Sequence, residues 1–219
     1  VLQAPISSYT ISGSTIVFAA ALTSADSIDF ITVMGDVLNL GQPSDGTVVP
    51  ASLGTTAVTA LTAGTGITSG TNTVYRSDVQ KLGNIYHTRI LIDLTGLASS
   101  GSGDIIGKAG TASSHIGQIT AAINGTVLGG KITCFEAPAG GDPDINLWYA
   151  DEATGAEDAA ITSLTNQIQM CDSGDFAIGT VVGIPTPPAA DKYLYMVTGA
   201  ATNADYTAGK LLIELFGYV

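Results

Sequence analysis

The chain has 219 residues, 45% of them hydrophobic and only 12% charged, with a net charge of −12 at pH 7. It is long enough to bury a large core, which excludes a disordered tail, and it is too poor in charge for the solvated outer faces of a helical bundle. Its seven cations are spread thinly, with none before Arg76 and none between Lys131 and Lys192, so direct nucleic-acid binding and attraction to an anionic membrane are both disfavoured.

In chain order, "STIVFAAALTSA" (14–25) has the apolar core of a signal peptide without a basic segment before it; it reads as a strand. No stretch reaches the length of a membrane span. Residues 1–72 are rich in Ser, Thr, Ala and Val and end in "LTAGTGITSGTN". They are expected to form an N-terminal β-rich arm or small subdomain, with a β-sandwich domain over 73–219; one continuous sandwich is the alternative. "GTGITSG" (64–70) has glycines without the spacing of a nucleotide fingerprint and reads as a flexible connection.

From there strands dominate. In "NIYHTRILIDLTGL" (84–97), Ile90, Ile92 and Leu94 alternate with Arg89, Leu91 and Asp93, the period of a strand with one buried face. In "SSHIGQITAAINGTVLGGKITCFEAP" (113–138), strands are expected over 119–123 and 131–135. Asn124-Gly125 is expected as a tight turn with positive φ, and "LGG" (128–130) as a second turn or a bulge. His115 reads as a polar strand-edge residue, and Asn124-Gly125-Thr126 matches a glycosylation sequon. "DINLWYA" continues the alternation with Ile145, Leu147 and Tyr149, and "KYLYMVTG" with Tyr193, Tyr195 and Val197. "GAEDAAITSL" (155–164) is the one helical candidate, with Glu157 and Asp158 suited to its first turn. "KLLIELFGYV" (210–219) is apolar on both faces, which predicts a central strand. Gly, Pro, Asn and Asp clusters at 99–104, 137–144, 171–175 and 185–191 supply the turns. The whole predicts an all-β chain, an antiparallel β-sandwich or jelly-roll-like domain.

Catalytic and metal signatures are sparse. No nucleophile elbow, Walker A loop or paired-His motif occurs, and two histidines and two cysteines this scattered argue against zinc. Cys134 and Cys171 read as isolated buried thiols, one pair setting no disulfide framework. The acidic segment from Asp142 to Asp158, led by Gly140 and Gly141, is the one constellation to weigh. Asp142, Asp144, Asp151 and Glu152 are the calcium candidates, and paired carboxylates there also raise glycoside hydrolysis. The spacing is not that of an EF-hand, so a solvated acidic loop is favoured, as it is for Asp172 and Asp175. Trp148, Tyr149 and Tyr86 would stack on sugar rings in a carbohydrate-binding module. Tyr75, Tyr86 and Trp148 are the interface candidates.

"RILIDLTGL", "DIIG", "HIGQITAAINGTVLGGKITCFEAP", "GDPDINLWYADEATGAEDAA", "PAADKYLYMVTGAA" and "YTAGKLLIELFGYV", in that order, resemble a family of short structural proteins of marine tailed bacteriophages, over roughly residues 64–219. The resemblance implies a non-enzymatic place in the virion and supplies no catalytic residues. It leads to the expectation of a capsid decoration or cement protein on the outer head surface, binding the major capsid protein as a homo-oligomer, a trimer at threefold positions, with no cofactor. A tail-tube or head-fibre subunit is the alternative within the particle, and a carbohydrate-binding β-sandwich the alternative outside it.

Overall fold

The computed structural model describes residues 9–12, 15–25 and 59–219. The chain divides into two compact units, Val1–Ser44 and Asp45–Val219. In the first, β1 (Tyr9–Ser12) and β2 (Thr15–Phe18) form an antiparallel hairpin in which Tyr9 faces Phe18 and Ser12 faces Thr15. The remainder of the expected N-terminal arm lies outside the described residues.

The second unit is all-β and antiparallel, as the period-2 runs predict. Its larger sheet has the order β10-β7-β13-β4-β3. These strands are β3 (Val74–Leu82), β4 (Ile85–Asp93), β7 (Thr126–Ala139), β10 (Val181–Ile184) and β13 (Ala208–Tyr218). The smaller sheet has the order β6-β11-β8-β9, from β6 (Gly117–Ile119), β8 (Ile145–Ala150), β9 (Ile168–Cys171) and β11 (Lys192–Thr198). A short ladder joins β5 (Ala98–Ser99) to β12 (Ala204–Asp205). The predicted central strand is central, β13 lying between β7 and β4.

One core lies between the two sheets. Ile90, Ile92, Ile132, Leu211 and Ile213 from the larger sheet share a cluster with Leu147, Met170, Leu194 and Met196 from the smaller. Alternation places these residues on one face of each strand, and burying that face is the main term holding the sheets together. The smaller sheet is apolar on its opposite face too, where Ala150, Tyr195 and Val197 pack with Ile105, Ile161 and Leu164. Among the described residues, the opposite face of the larger sheet is left partly exposed.

Several local expectations are corrected. The boundary near residue 72 moves to 44/45, because residues 59–72 belong to the sandwich. Leu61 and Ile67 are buried in the shared core, and Thr59 bridges Val79 on β3. "GTGITSG" is not a loose connection. It contains one helical turn, α1 (Thr65–Thr68), and its glycines admit a neighbouring segment: a Cβ at Gly64 would stand 1.6 Å from the Ser113 carbonyl oxygen, and one at Gly66 2.2 Å from Ser114 Oγ.

Residues 119–123 do not form a strand. After Ile119 the chain makes one helical turn, α2 (Ala121–Asn124), whose N-cap Thr120 accepts a hydrogen bond from the Ile123 N–H. Of the Asn-Gly pair only Gly125 takes positive φ, at 65°. Asn124 is fully buried; its Oδ1 accepts from the Thr120 N–H and its Nδ2 donates to Thr88 Oγ1. The sequon therefore presents no free acceptor in the folded chain. The "LGG" stretch is a bulge at Leu128 within β7, not a turn.

The predicted helix over 155–164 is absent as well. Asp158 takes a φ of 63°, and backbone groups of 158 and 159 bond to Ile105 in place of each other. Only a 3-10 turn remains, at Ile161–Ser163. Cys134 and Cys171 are free and buried. Burial pushes both thiols up, Cys171 to about 11, so they are held protonated and unreactive.

Candidate functional site

The open face of the larger sheet carries the densest chemistry of the described residues. In β4 the odd positions point outward and the even ones into the core, and the register carries that choice to every neighbour. Lys131, Glu214, Arg89 and Asp78 are successive cross-strand partners on β7, β13, β4 and β3. They form a ladder of alternating sign across four strands.

Within it, Lys131 Nζ lies 3.0 Å from Glu214 Oε2, and His87 Nε2 lies 3.0 Å from Glu214 Oε1. The Arg89 guanidinium donates through Nε to Asp78 Oδ1 at 2.8 Å and through Nη2 to Oδ2, the planar bidentate geometry that favours Arg over Lys.

Four residues along β13 and β4 a second ladder runs Glu136, Lys210, Asp93. Lys210 Nζ lies 3.3 Å from Asp93 Oδ2 and also contacts Glu136. Between the ladders lies a stripe of Thr133, Leu212 and Leu91, ending at Arg76. Phe135, the extra residue of a bulge in β7, stands exposed above it. With Arg76, Asp78, Arg89, Leu91 and Leu212 it lines a shallow depression. Past the first ladder Phe216 stacks on His87, ring centroids 4.9 Å apart.

The electrostatics follow from these contacts. Burial pushes the Glu214 carboxyl up, but Lys131 and His87 more than offset it and hold the group below its ordinary value. At Asp93 burial is likewise outweighed, here by Thr95 and Lys210. A carboxylate held low in the folded state stabilises the fold above its unfolded value of about 4. That contribution is lost as pH falls through the lower folded value.

The sequence candidates are distributed differently. The four calcium candidates do not come together, and among the described residues no three His, Cys, Asp or Glu side chains are placed to hold a metal ion. Asp151 pairs with Lys192 and Asn166, and Glu152 Oε2 accepts from the Thr165 N–H. Asp142 is fully buried as a structural clamp. Its Oδ1 accepts from the Asp144 N–H and its Oδ2 from the Ala200 N–H, both at 3.0 Å, while its carbonyl accepts from the Tyr206 hydroxyl at 2.7 Å.

Asp144 is the strained member. Burial, then the charges of Asp172, Asp142 and Asp175, push its carboxyl above the usual range, and its Oδ1 has no hydrogen-bond partner among the described residues. Because the folded value lies above the unfolded one, ionisation costs stability at pH above the folded value. The cost vanishes as pH falls below the unfolded value of about 4. Asp144→Asn is expected to raise the thermal midpoint by a few degrees at about pH 7 and to leave it unchanged near pH 3. Equal shifts at both pH values in differential scanning fluorimetry would refute this cause.

The aromatic candidates divide. Tyr75 turns inward, its hydroxyl donating to the Ile116 carbonyl at 2.7 Å. Tyr86 is buried in the shared core with Lys81 Nζ over its ring. Neither is free for an interface or a sugar, and Tyr149 is buried too. Trp148 is half-buried on the outer side of the smaller sheet. His115 lies edge-on to Tyr193 and Tyr195, and burial lowers its imidazole.

The ladder face escaped the sequence reading because it exists only in the cross-strand register, which joins residues as distant as Asp78 and Glu214. No protein-family model, curated protein or solved structure matches the chain.

Proposed function

We propose that this chain is a non-enzymatic structural subunit of a tailed-phage virion, seated on the outer surface of the head as a decoration or cement protein with the major capsid protein as its neighbour. The observation that carries the reading is the open face of the larger sheet. All its charges but Arg76 are already paired in the plane of the sheet and an apolar stripe runs between them, so another protein covers it with one charge left to satisfy. The remainder of the described domain is acidic, with eleven carboxylates against three cations. The resemblance of residues 64–219 to phage structural proteins supports the particle as the setting. A subunit that binds only the assembled shell stabilises it by linkage.

Localised cryo-EM reconstruction of the particle tests the reading. Density outside a continuous shell is expected, and heads stripped of the subunit are expected to lose heat resistance. Stacked rings along the tail would make the chain a tube subunit instead. Absence of particle-bound density, with binding on a glycan array, would replace the virion reading with the carbohydrate-binding one.

A further inference from the structure

We propose that the ladder face pairs with the same face of a second copy of this chain, across a two-fold axis running parallel to the strands between β13 and β4. The inference rests on the reading of this face as an assembly surface and names what covers it. From β7 to β3 the first ladder runs plus, minus, plus, minus, as Lys131, Glu214, Arg89 and Asp78. Two faces brought together by such an axis meet with that order reversed. Lys131 then lies opposite Asp78 of the partner subunit, and Glu214 opposite Arg89 of the partner subunit. Every rung meets its opposite sign, which follows from an even number of alternating charges.

The other rows obey the same operation. Lys210 comes opposite Asp93 of the partner subunit, and Leu212 opposite Leu91 of the partner subunit, so the apolar stripe is continued through the contact. Glu136, on β7, comes over the β3 column of the partner subunit. Arg76 stands in that column and pairs with no carboxylate among the described residues, donating to the Tyr75 carbonyl. An isologous contact needs a self-complementary patch of this kind.

Charge and area select this face. It holds four cations and four carboxylates, whereas the rest of residues 59–219 holds eleven carboxylates against Lys81, Lys108 and Lys192. Copies approaching by those other surfaces repel. Four overlapping strands about 4.8 Å apart and nine residues at about 3.4 Å give a contact of roughly 19 by 30 Å. That is about 570 Å² per copy, at the small end of the range of specific interfaces, which fits a dimer that weakens with salt.

The test is the mass of the full chain in solution by light scattering and sedimentation, for wild type, Lys131→Glu, Asp78→Lys and the double variant, with circular dichroism confirming the fold. Residues 131 and 78 sit three strands apart in one copy and meet only across the axis. Wild type is expected at twice the 22.1 kDa chain mass, weakening with salt. Each single reversal is expected to raise the dimer dissociation constant at least tenfold, and the double to recover most of it. That recovery occurs although the double variant places like charges side by side along each ladder.

Should a ladder variant not fold, Thr133→Arg and Thr133→Arg with Arg76→Glu repeat the comparison on the stripe. A monomer, a trimer, a dimer indifferent to the single reversals, or a double variant weaker than either single would overturn the pairing. A monomeric chain that still decorates the head sinks the pairing alone; a dimer absent from every particle sinks the virion reading alone.

Discussion

Gly64→Ala is expected to destabilise the protein by about 3 kcal/mol, the upper end of the usual cost of overpacking, and to lower the thermal midpoint by roughly 10 °C. The backbone at Gly64 has a φ of −67°, which alanine adopts freely, so the effect is steric. The added Cβ would stand 1.6 Å from the Ser113 carbonyl oxygen. That contact is between two pieces of backbone tied by hydrogen bonds, Gly64 N–H to the His115 carbonyl at 2.8 Å and Gly66 N–H to the Ser113 carbonyl at 3.1 Å. Relief requires the two strips to separate, which unseats Ile67 from the core.

The sign of the result is diagnostic. In a loose connection the same substitution would stabilise by roughly 0.4–1 kcal/mol, by narrowing the unfolded ensemble. A urea midpoint at or above that of wild type would return residues 64–70 to the status of a linker.

Asp142→Ala is expected to cost about 2 kcal/mol, because it removes the shared acceptor of two part-buried backbone donors, each hydrogen bond contributing roughly 1 kcal/mol. The Asp144 and Ala200 N–H groups both end on the Asp142 carboxylate, and the residue is fully buried. Removing its charge relieves Asp144 somewhat, since Asp142 is one of the groups that raise that carboxyl. The relief is smaller than the loss, because it acts through space on a group that Asp172 and Asp175 also perturb. Chemical denaturation compares Asp142→Ala with Asp144→Asn directly, and the two are expected to move stability in opposite directions. A neutral Asp142→Ala would mean that the turn at 140–144 is held by its main-chain bonds, the Tyr206 hydroxyl to the Asp142 carbonyl and the Asp142 N–H to Ser99 Oγ among them.

What the sequence discloses is set by the range of the interaction that decides each element. Burial on one face of a strand is written locally, so 85–93, 145–150, 192–198 and 208–218 are all legible from alternation. Segments 64–70 and 155–164 misled for the opposite reason. The partners that fix them, Ser113 and Ser114 for the first and Ile105 for the second, lie tens of residues away.

The acidic segment drew notice by composition, yet its carboxylates serve separate local tasks. Asp142 clamps a turn, Asp151 pairs with Lys192, and Glu152 accepts from Thr165. Charges that do act together, on β3, β4, β7 and β13, are spread over more than 130 residues of chain. Nothing short of the register aligns them.

The central place of β13 has a consequence for the order in which the molecule is made. Strands β4 and β7 never pair with each other; each waits for β13, which leaves the ribosome after both. Until residues 208–218 emerge, the larger sheet can be no more than a β3-β4 hairpin and, once residues 181–184 are made, a separate β7-β10 pair, each with an open edge toward the missing strand. Such edges template pairing with other chains. Nascent copies on neighbouring ribosomes are thus exposed to mispairing through the whole interval in which β8 to β12 are synthesised, and a single late strand closes both edges at once.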